Sequence, residues 1–143
     1  FILILGFSTS LKAQILEPVK WKTSIKKISN TEYDLIMTAS IDKDWHMYSQ
    51  YTAEGGALPI VISKEDKKNK DFKLVGKAAE SQVIKKYNET FEVEETFFDF
   101  KAVLKQRIVL LKKGVAKVDI VLNGQACKEL CIQLEEYFTF SLK

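Results

Sequence analysis

The sequence predicts an all-β domain built as an antiparallel β-sandwich. Eight or nine short segments place apolar residues at every second position, which is the period of a half-buried strand. Turn-forming residues, mainly Gly, Asn, Asp and Ser, separate these segments. The sequence has no long stretch with the apolar spacing of an amphipathic helix, so an antiparallel arrangement of strands follows.

The length and composition fit one globular domain. The chain has 143 residues, of which 46% are hydrophobic and 29% charged. Its formal net charge of +3 is too small to indicate nucleic-acid binding. The sequence also lacks internal repeats, the glycine-rich motifs that bind phosphates or dinucleotides, and a zinc-ligand spacing. A function in one of these classes is therefore not indicated.

Residues 1–14 are predicted to be the remnant of a secretory signal peptide. Phe1 to Phe7 form an apolar run, and small and polar residues follow as far as Gln14. The run is too short to cross a bilayer as a helix. It lacks an initiating Met and a basic segment, so an N-terminal core strand is the alternative. Export would leave residues 15–143 as the sandwich domain, in an oxidising compartment where disulfides persist.

The first half of the domain predicts four strands, which are residues 19–25, 33–41, 45–48 and 60–62. Residues 49–58 contain two adjacent glycines and lead to Pro59, so they are expected to form a loop. The charged run 63–71 is interpreted as the solvated tip of a hairpin.

The second half predicts five more strands, which are residues 72–76, 97–100, 102–110, 118–122 and 138–142. Residues 77–95 are the least regular part of the chain, and long irregular loops in compact domains often act as lids or binding loops. We therefore expect this stretch to cover a site, with Tyr87 and Phe91 as its aromatic residues. The alternative is that both aromatics belong to the core.

The connection between the last two strands holds both cysteines, Cys127 and Cys131, with three residues between them. A bridge between them closes a loop of about five residues, which stabilises a fold by roughly 2 kcal/mol before strain is subtracted. A domain of this size already buries an ordinary core, so such a bond is better explained as one that is made and broken. The spacing alone leaves a passive bridge, two free thiols or a metal site as alternatives.

An oxidised pair also predicts the local backbone. In a helix the two β-carbons would lie about 5–6 Å apart, whereas a disulfide needs roughly 3.5–4.5 Å. The segment is therefore expected to be a non-helical turn between two strands. That context and the spacing exclude a thioredoxin-like site, which uses two intervening residues in a β-α-β unit.

Several short motifs then occur in a characteristic order, namely Val19 to Trp21, Glu32 to Leu35, Asp44 to Gln50, Gly55-Gly56 with Pro59, Gln106 to Ile108, and Gln125 to Cys131. Together they resemble the N-terminal periplasmic domain of the thiol:disulfide interchange protein DsbD, in its Bacteroidetes-type form. The resemblance implies an immunoglobulin-like sandwich in the periplasm that needs no cofactor. It also implies enzymatic thiol:disulfide interchange.

In that family a transmembrane domain takes electrons from the cytoplasm and passes them to a thioredoxin-like domain. The N-terminal domain receives them and hands them to periplasmic disulfide isomerases and other thiol proteins. These are the partners that the resemblance implies for this chain.

By position, the resemblance makes Cys127 and Cys131 the redox pair, with Cys131 forming the mixed disulfide and Cys127 resolving it. It places four shielding residues near the sulfurs: Tyr48, His46, the cap residue Phe91 and its acidic neighbour Glu89. The chain departs from the family in its short gap between the cysteines. It also has Ile132, Gln133 and Leu134 where prolines are common.

Two other functions are considered. Cys127, Cys131, His46 and Met47 are the ligand types of a copper module, because soft thiolate and thioether ligands select Cu(I). The chain is alternatively an adhesion sandwich with an incidental bridge. A single His and no recognisable catalytic triad argue against hydrolysis.

Overall fold

Residues 16–143, the part of the chain that the computed structural model describes, form eleven β-strands in two antiparallel sheets. The predicted all-β sandwich is confirmed. The proposed signal segment, residues 1–14, lies outside the described residues. None of the described residues belongs to a helix that is long and apolar enough to cross a membrane.

Sheet A has five strands. Its path runs β1-β2-β9-β5, and β6 pairs with β9 beside β5. The strands are β1 (Val19–Lys27), β2 (Glu32–Ile41), β5 (Phe72–Leu74), β6 (Ala79–Glu80) and β9 (Lys101–Leu110). Strand β2 pairs along nearly its whole length with β1 on one side and β9 on the other.

Sheet B has six strands, in the order β11-β10-β3-β8-β7, and β4 also pairs with β10. The strands are β3 (His46–Tyr48), β4 (Val61–Lys64), β7 (Ile84–Asn88), β8 (Val93–Phe98), β10 (Lys117–Cys127) and β11 (Cys131–Ser141). Strand β10 pairs with β11 from Lys117 to Cys127, which builds the long hairpin that ends at the cysteines.

The core lies between the inner faces of the two sheets, because alternate side chains of each strand point to one face. The fully buried side chains of this core include Leu35, Met37, Leu104 and Ile108 from sheet A, and Met47, Phe98, Ile120 and Leu122 from sheet B. The period-two pattern of the sequence therefore identified the inner faces correctly.

The charged run 63–71 is not a hairpin tip. Strand β4 before it pairs with β10 in sheet B, whereas β5 after it pairs with β9 in sheet A. The run thus crosses from one sheet to the other. Turn residues mark where a strand ends but carry no information on which strand the next one joins, and this explains the error.

Residues 77–95 are also more regular than expected. They contain β6 and β7 and the start of β8, and β7 pairs with β8 as a hairpin with its turn at 89–92. Tyr87 and Phe91 are 58% and 52% exposed, so the alternative that both are core residues is wrong. Both lie on a hairpin at the sheet edge, where apolar residues have no second layer to pack against.

Candidate functional site

Cys127 and Cys131 form a disulfide at the end of the β10–β11 hairpin. Their sulfurs are 1.97 Å apart and their Cα atoms 4.0 Å apart. Cys127 is the last residue of β10, Cys131 is the first of β11, and the two lie opposite each other in the register. Three residues bend between them, and the Lys128 N–H donates to the Leu130 carbonyl at 2.9 Å. The expected non-helical turn is confirmed.

The two sulfur-bearing residues differ in access. Cys127 is 7% exposed, whereas Cys131 is exposed to solvent. Strand β10 has β11 on one side and β3 on the other at this point, while β11 is the edge of sheet B. The difference in access follows from the edge position of β11.

Cys127 belongs to a small buried cluster on the outer face of sheet B. Its other members are Tyr48, Phe97 and Ala57. Tyr48 and Phe97 lie opposite each other in β3 and β8. The chain neighbours of these residues, Met47, Phe98 and Ala126, belong to the main core on the inner face. The outer cluster is therefore separated from the main core by the sheet itself.

His46 lies beside the disulfide, directly opposite Cys127 in the pairing of β3 with β10. Its ring stacks on Phe97 with centroids 3.9 Å apart and planes inclined by 14°. Its Nε2 is 3.7 Å from Oδ1 of Asp99. Residues opposite each other have β-carbons about 4.5–5.5 Å apart, so His46 flanks Cys127. Tyr48, two residues further along β3, shares the buried outer cluster with Cys127.

Glu95 is a buried carboxylate behind Tyr48, and the sequence did not single it out. The Tyr48 hydroxyl donates to Oε2 of Glu95 at 3.5 Å, and Nδ2 of Asn88 donates to Oε1 at 3.1 Å. Burial, the Glu95 charge and this hydrogen bond raise the pKa of Tyr48 to about 12. An outward position of a strand normally holds a solvated polar residue, so no sequence signal distinguishes Glu95 from an exposed one.

Phe91 and Glu89 lie in the turn of the β7–β8 hairpin and are exposed. The Asn88 side chain holds this turn, because its Oδ1 accepts from the N–H groups of Thr90 and Phe91 at 2.9 and 3.1 Å. Neither Phe91 nor Glu89 belongs to the buried cluster around Cys127.

The copper ligand set is not assembled. Met47 is fully buried in the main core, whereas Cys127 belongs to the outer cluster on the other face of the sheet. Residues 16–143 also contain no group of three or more His, Cys, Asp or Glu side chains that could hold a metal ion. Of the four expected ligands Cys127, Cys131, His46 and Met47, the last therefore lies on the opposite face of the sheet from Cys127.

The fold is similar to that of two solved structures. The N-terminal periplasmic domain of ScsB from Proteus mirabilis matches with a TM-score of 0.65 at 14% identity, over 92% of this chain and 49% of that one. The reduced N-terminal domain of DsbD from Neisseria meningitidis matches with a TM-score of 0.53 at 18% identity, over 83% of each chain. The present chain thus spans about half the length of the ScsB structure. No curated protein sequence matches it.

These similarities identify the two-sheet sandwich as immunoglobulin-like. The sequence profile of one family, described as thiol:disulfide interchange protein DsbD, N-terminal, matches residues 12–142. That match covers nearly the whole chain, including the bridged cysteines. The chain therefore belongs to the family of N-terminal domains of the thiol:disulfide interchange protein DsbD.

Proposed function

We propose that this chain is a periplasmic thiol:disulfide exchange domain that relays electrons through Cys127 and Cys131. The observation that carries the proposal is the unequal access of the two bonded residues at the hairpin end. An exposed Cys131 is available to a partner, while the buried Cys127 is protected until the bond opens. Exposed disulfides are the labile and catalytic ones.

The exchange proceeds in two balanced steps. A thiolate of a reduced partner attacks Sγ of Cys131, which forms an intermolecular disulfide and releases Cys127 as a thiolate. The partner's second thiolate then attacks the partner's first sulfur, which is bonded to Cys131. This closes a disulfide within the partner and releases Cys131 as a thiolate. The partner leaves as a disulfide, and this domain has gained two electrons and, at neutral pH, two protons.

Delivery of the electrons reverses these roles. The Cys131 thiolate attacks one sulfur of an acceptor disulfide and releases the other as a thiolate. The Cys127 thiolate then attacks Sγ of Cys131, which restores the bridge and releases the acceptor as a dithiol that has gained the two electrons. The proposed donor is a thioredoxin-like domain or protein, supplied by a DsbD-type transmembrane domain. The proposed acceptors are periplasmic disulfide isomerases and other thiol proteins. Family membership supports these partner classes.

Four residues are proposed to shield the pair. Tyr48 and His46 flank Cys127 on β3. Phe91, with its neighbour Glu89, is proposed to act as a cap that moves over the sulfurs from the hairpin turn. Replacing Phe91 by Ala should speed reduction of the disulfide by dithiothreitol without unfolding the domain. An unchanged rate in a folded variant would remove Phe91 from the shield.

The relay is tested by trapping with single-cysteine variants. Cys127→Ser leaves Cys131 exposed and removes the resolving thiol, so it should capture a thioredoxin-like partner in a complex that persists without reductant. Cys131→Ser leaves only the buried sulfur and should capture little. The complexes are counted on non-reducing gels after mixing each variant with a thioredoxin-like protein that keeps only its exchanging cysteine, activated as a mixed disulfide with 5-thio-2-nitrobenzoate. Attack by the variant's thiolate releases 5-thio-2-nitrobenzoate, and no second partner thiol remains to reverse the complex.

Each other outcome has a defined meaning. Reversed trapping would exchange the roles of the two cysteines and keep the redox function. If neither folded variant traps a thiol partner, the relay is refuted. The adhesion alternative predicts that replacing both cysteines leaves every partner interaction intact.

A further inference from the structure

We propose that residues 51–58, here called the covering loop, decide which sulfur reacts, and that Gln125 is the positioning residue that holds this loop closed. The proposal rests on the exchange function proposed above. It assigns the shield over Cys127 to the β3–β4 connection, a segment that the sequence marked only as a loop.

The covering loop contributes directly to the burial of Cys127. Ala57 is 8% exposed and joins Cys127, Tyr48 and Phe97 in the outer cluster. The outer face of a sandwich sheet normally meets solvent. At this place the loop folds back across that face, so the sulfur-bearing residue at the end of β10 becomes buried.

A polar network holds the chain just before the covering loop and the second residue of the loop, Thr52. Ser49 Oγ donates to Oε1 of Glu80 at 2.6 Å, and the Gln50 N–H donates to Oε2 at 3.0 Å. Thr52 Oγ1 accepts from the Thr96 N–H at 3.0 Å. Because Glu80 lies in sheet A and Thr96 in sheet B, this end of the loop is fixed to both sheets.

The middle of the loop passes close to the β7–β8 hairpin. Gly55 has φ +99°, a conformation that favours glycine. A β-carbon at Gly56 would lie 3.2 Å from both Oε1 of Glu95 and Cγ2 of Val93. The two glycines therefore permit a close approach that a larger residue would prevent.

The end of the loop depends on one exposed hydrogen bond. The Leu58 N–H donates to Oε1 of Gln125 at 2.8 Å. Gln125 lies two positions before Cys127 on β10, so both side chains belong to the same face of the sheet. This bond is next to Ala57 in sequence and is the contact whose loss would free the loop above Cys127.

The consequence is a choice between sulfurs. While the loop is closed, a partner thiolate reaches Sγ of Cys131 and releases Cys127. If the loop opens, attack at Sγ of Cys127 becomes possible and releases Cys131 instead. The partner is then bonded to the sulfur beneath the loop, where its second thiol has less room to complete the exchange.

The test measures each sulfur separately. In the Cys131→Ser background, the thiol of Cys127 is titrated with the aromatic disulfide 5,5′-dithiobis(2-nitrobenzoate), and the rate is compared with and without Gln125→Met. Methionine keeps the length of the side chain and removes the acceptor. We expect the rate to rise about three- to tenfold, as the loss of one neutral hydrogen bond allows. In the Cys127→Ser background, the rate at Cys131 should stay the same.

Three controls make the result decisive. Gln125→Glu keeps an acceptor at the same position, so its pH-independent thiolate rate at Cys127 should stay low. Asn123 lies on the same face of β10, two residues further from the cysteines than Gln125. Asn123→Leu should therefore leave the rate at Cys127 unchanged. The third control uses the oxidised chain with both cysteines present. There, Gln125→Met should speed hydrogen exchange at the Leu58 amide relative to the unchanged chain, whereas Gln125→Glu and Asn123→Leu should not.

The proposal fails if folded Gln125→Met leaves the Cys127 rate unchanged, or if the Cys131 rate rises by the same factor. These readings use a small reagent and need no protein partner. They can therefore succeed when partner trapping fails, and the reverse is equally possible, so the two proposals are tested apart.

Discussion

The outer faces of the two sheets differ in what lies over them. On sheet A, alternate positions of β1 and β9 carry basic side chains that are exposed or half-buried, namely Lys20, Lys22, Lys26, Lys101, Lys105 and Arg107. On sheet B, the corresponding face holds buried Cys127, Tyr48 and Phe97 under the covering loop. A sandwich needs one buried face per sheet. The second buried face of sheet B is therefore not required by the fold, and it is the face that carries the Cys127–Cys131 disulfide.

The connections of the two sheets explain the difference. In sheet A, β1 joins β2 through residues 28–31, a tight turn that leaves no chain to cover the face. In sheet B, β3 joins β4 through residues 49–60, which is long enough to fold back over the strands. This connection carries buried polar groups at Ser49, Gln50 and Thr52, and each of them is hydrogen-bonded to another part of the chain.

The largest difference is expected from side-chain truncation. Phe97→Ala removes a ring that is 3% exposed and stacks on His46, so it should lower the free energy of unfolding by about 3–5 kcal/mol. Ile36→Ala on the half-buried outer face of sheet A should cost only about 1 kcal/mol, because water already reaches that side chain. Urea unfolding at pH 7 measures both. Equal losses would show that the two faces are not energetically distinct.

The sequence predicted the inner faces and the last hairpin because both depend on local alternation. The pattern from Tyr33 to Ile41, for instance, gave the buried positions of β2, which the structure confirms. The path of the run 63–71 was not predictable, since the same turn residues serve a hairpin and a sheet crossing. Long-range pairing decides between them, and a single sequence does not display it.

For the candidate site, too, the sequence indicated what depends on local motifs and missed what depends on contacts between distant segments. The cysteines were found from their spacing, and His46 and Tyr48 from a motif resemblance; both lie beside Cys127. Ala57, Gln125 and Glu95 were missed because each acts through a contact between distant segments. An alanine in a loop, a glutamine on a strand and a glutamate on a strand look ordinary until the fold brings them together.

Alkaline pH should also distinguish the two outer faces, through a change in stability smaller than that expected for Phe97→Ala. The pKa of Tyr48 is raised to about 12, chiefly by burial and then by Glu95. Above about pH 10 the unfolded chain loses this proton while the folded chain keeps it, so stability falls as pH rises towards 12, by up to about 1.4 kcal/mol per pH unit. Tyr48→Phe should flatten the dependence measured in urea melts between pH 8 and 11.5.

Tyr137 provides the matched control for that measurement. It is exposed on the outer face of β11, and the pKa of its hydroxyl is raised by a hydrogen bond to Glu135. Because solvent screens this group, Tyr137→Phe should keep most of the alkaline loss. If Tyr137→Phe flattens the dependence as much as Tyr48→Phe does, burial on the covered face is not its cause.

The smallest effect on stability is expected from Asp34, on the exposed outer face of sheet A. Among the described residues of that face, it is the only carboxylate whose pKa is lowered. Asp34 accepts hydrogen bonds from Nε and Nη2 of Arg107 at 2.5 and 3.3 Å, and this pairing, with the nearby positive charges, lowers the pKa of Asp34. The stability from this pair is present above the unfolded pKa near 4 and is lost as pH falls through the lower folded pKa.

The side chains of Arg107 and Asp34 are 38% and 15% exposed, so water partly screens the pair, and ion pairs at the surface contribute little. Asp34→Asn should therefore reduce the acid-side slope of stability only slightly, and added salt should erase the difference. Urea midpoints between pH 2.5 and 6, at low and at high salt, measure it. A large salt-resistant loss in Asp34→Asn would mean that the outer face of sheet A is protected from solvent after all. The contrast between an exposed outer face on sheet A and a covered one on sheet B would then be refuted.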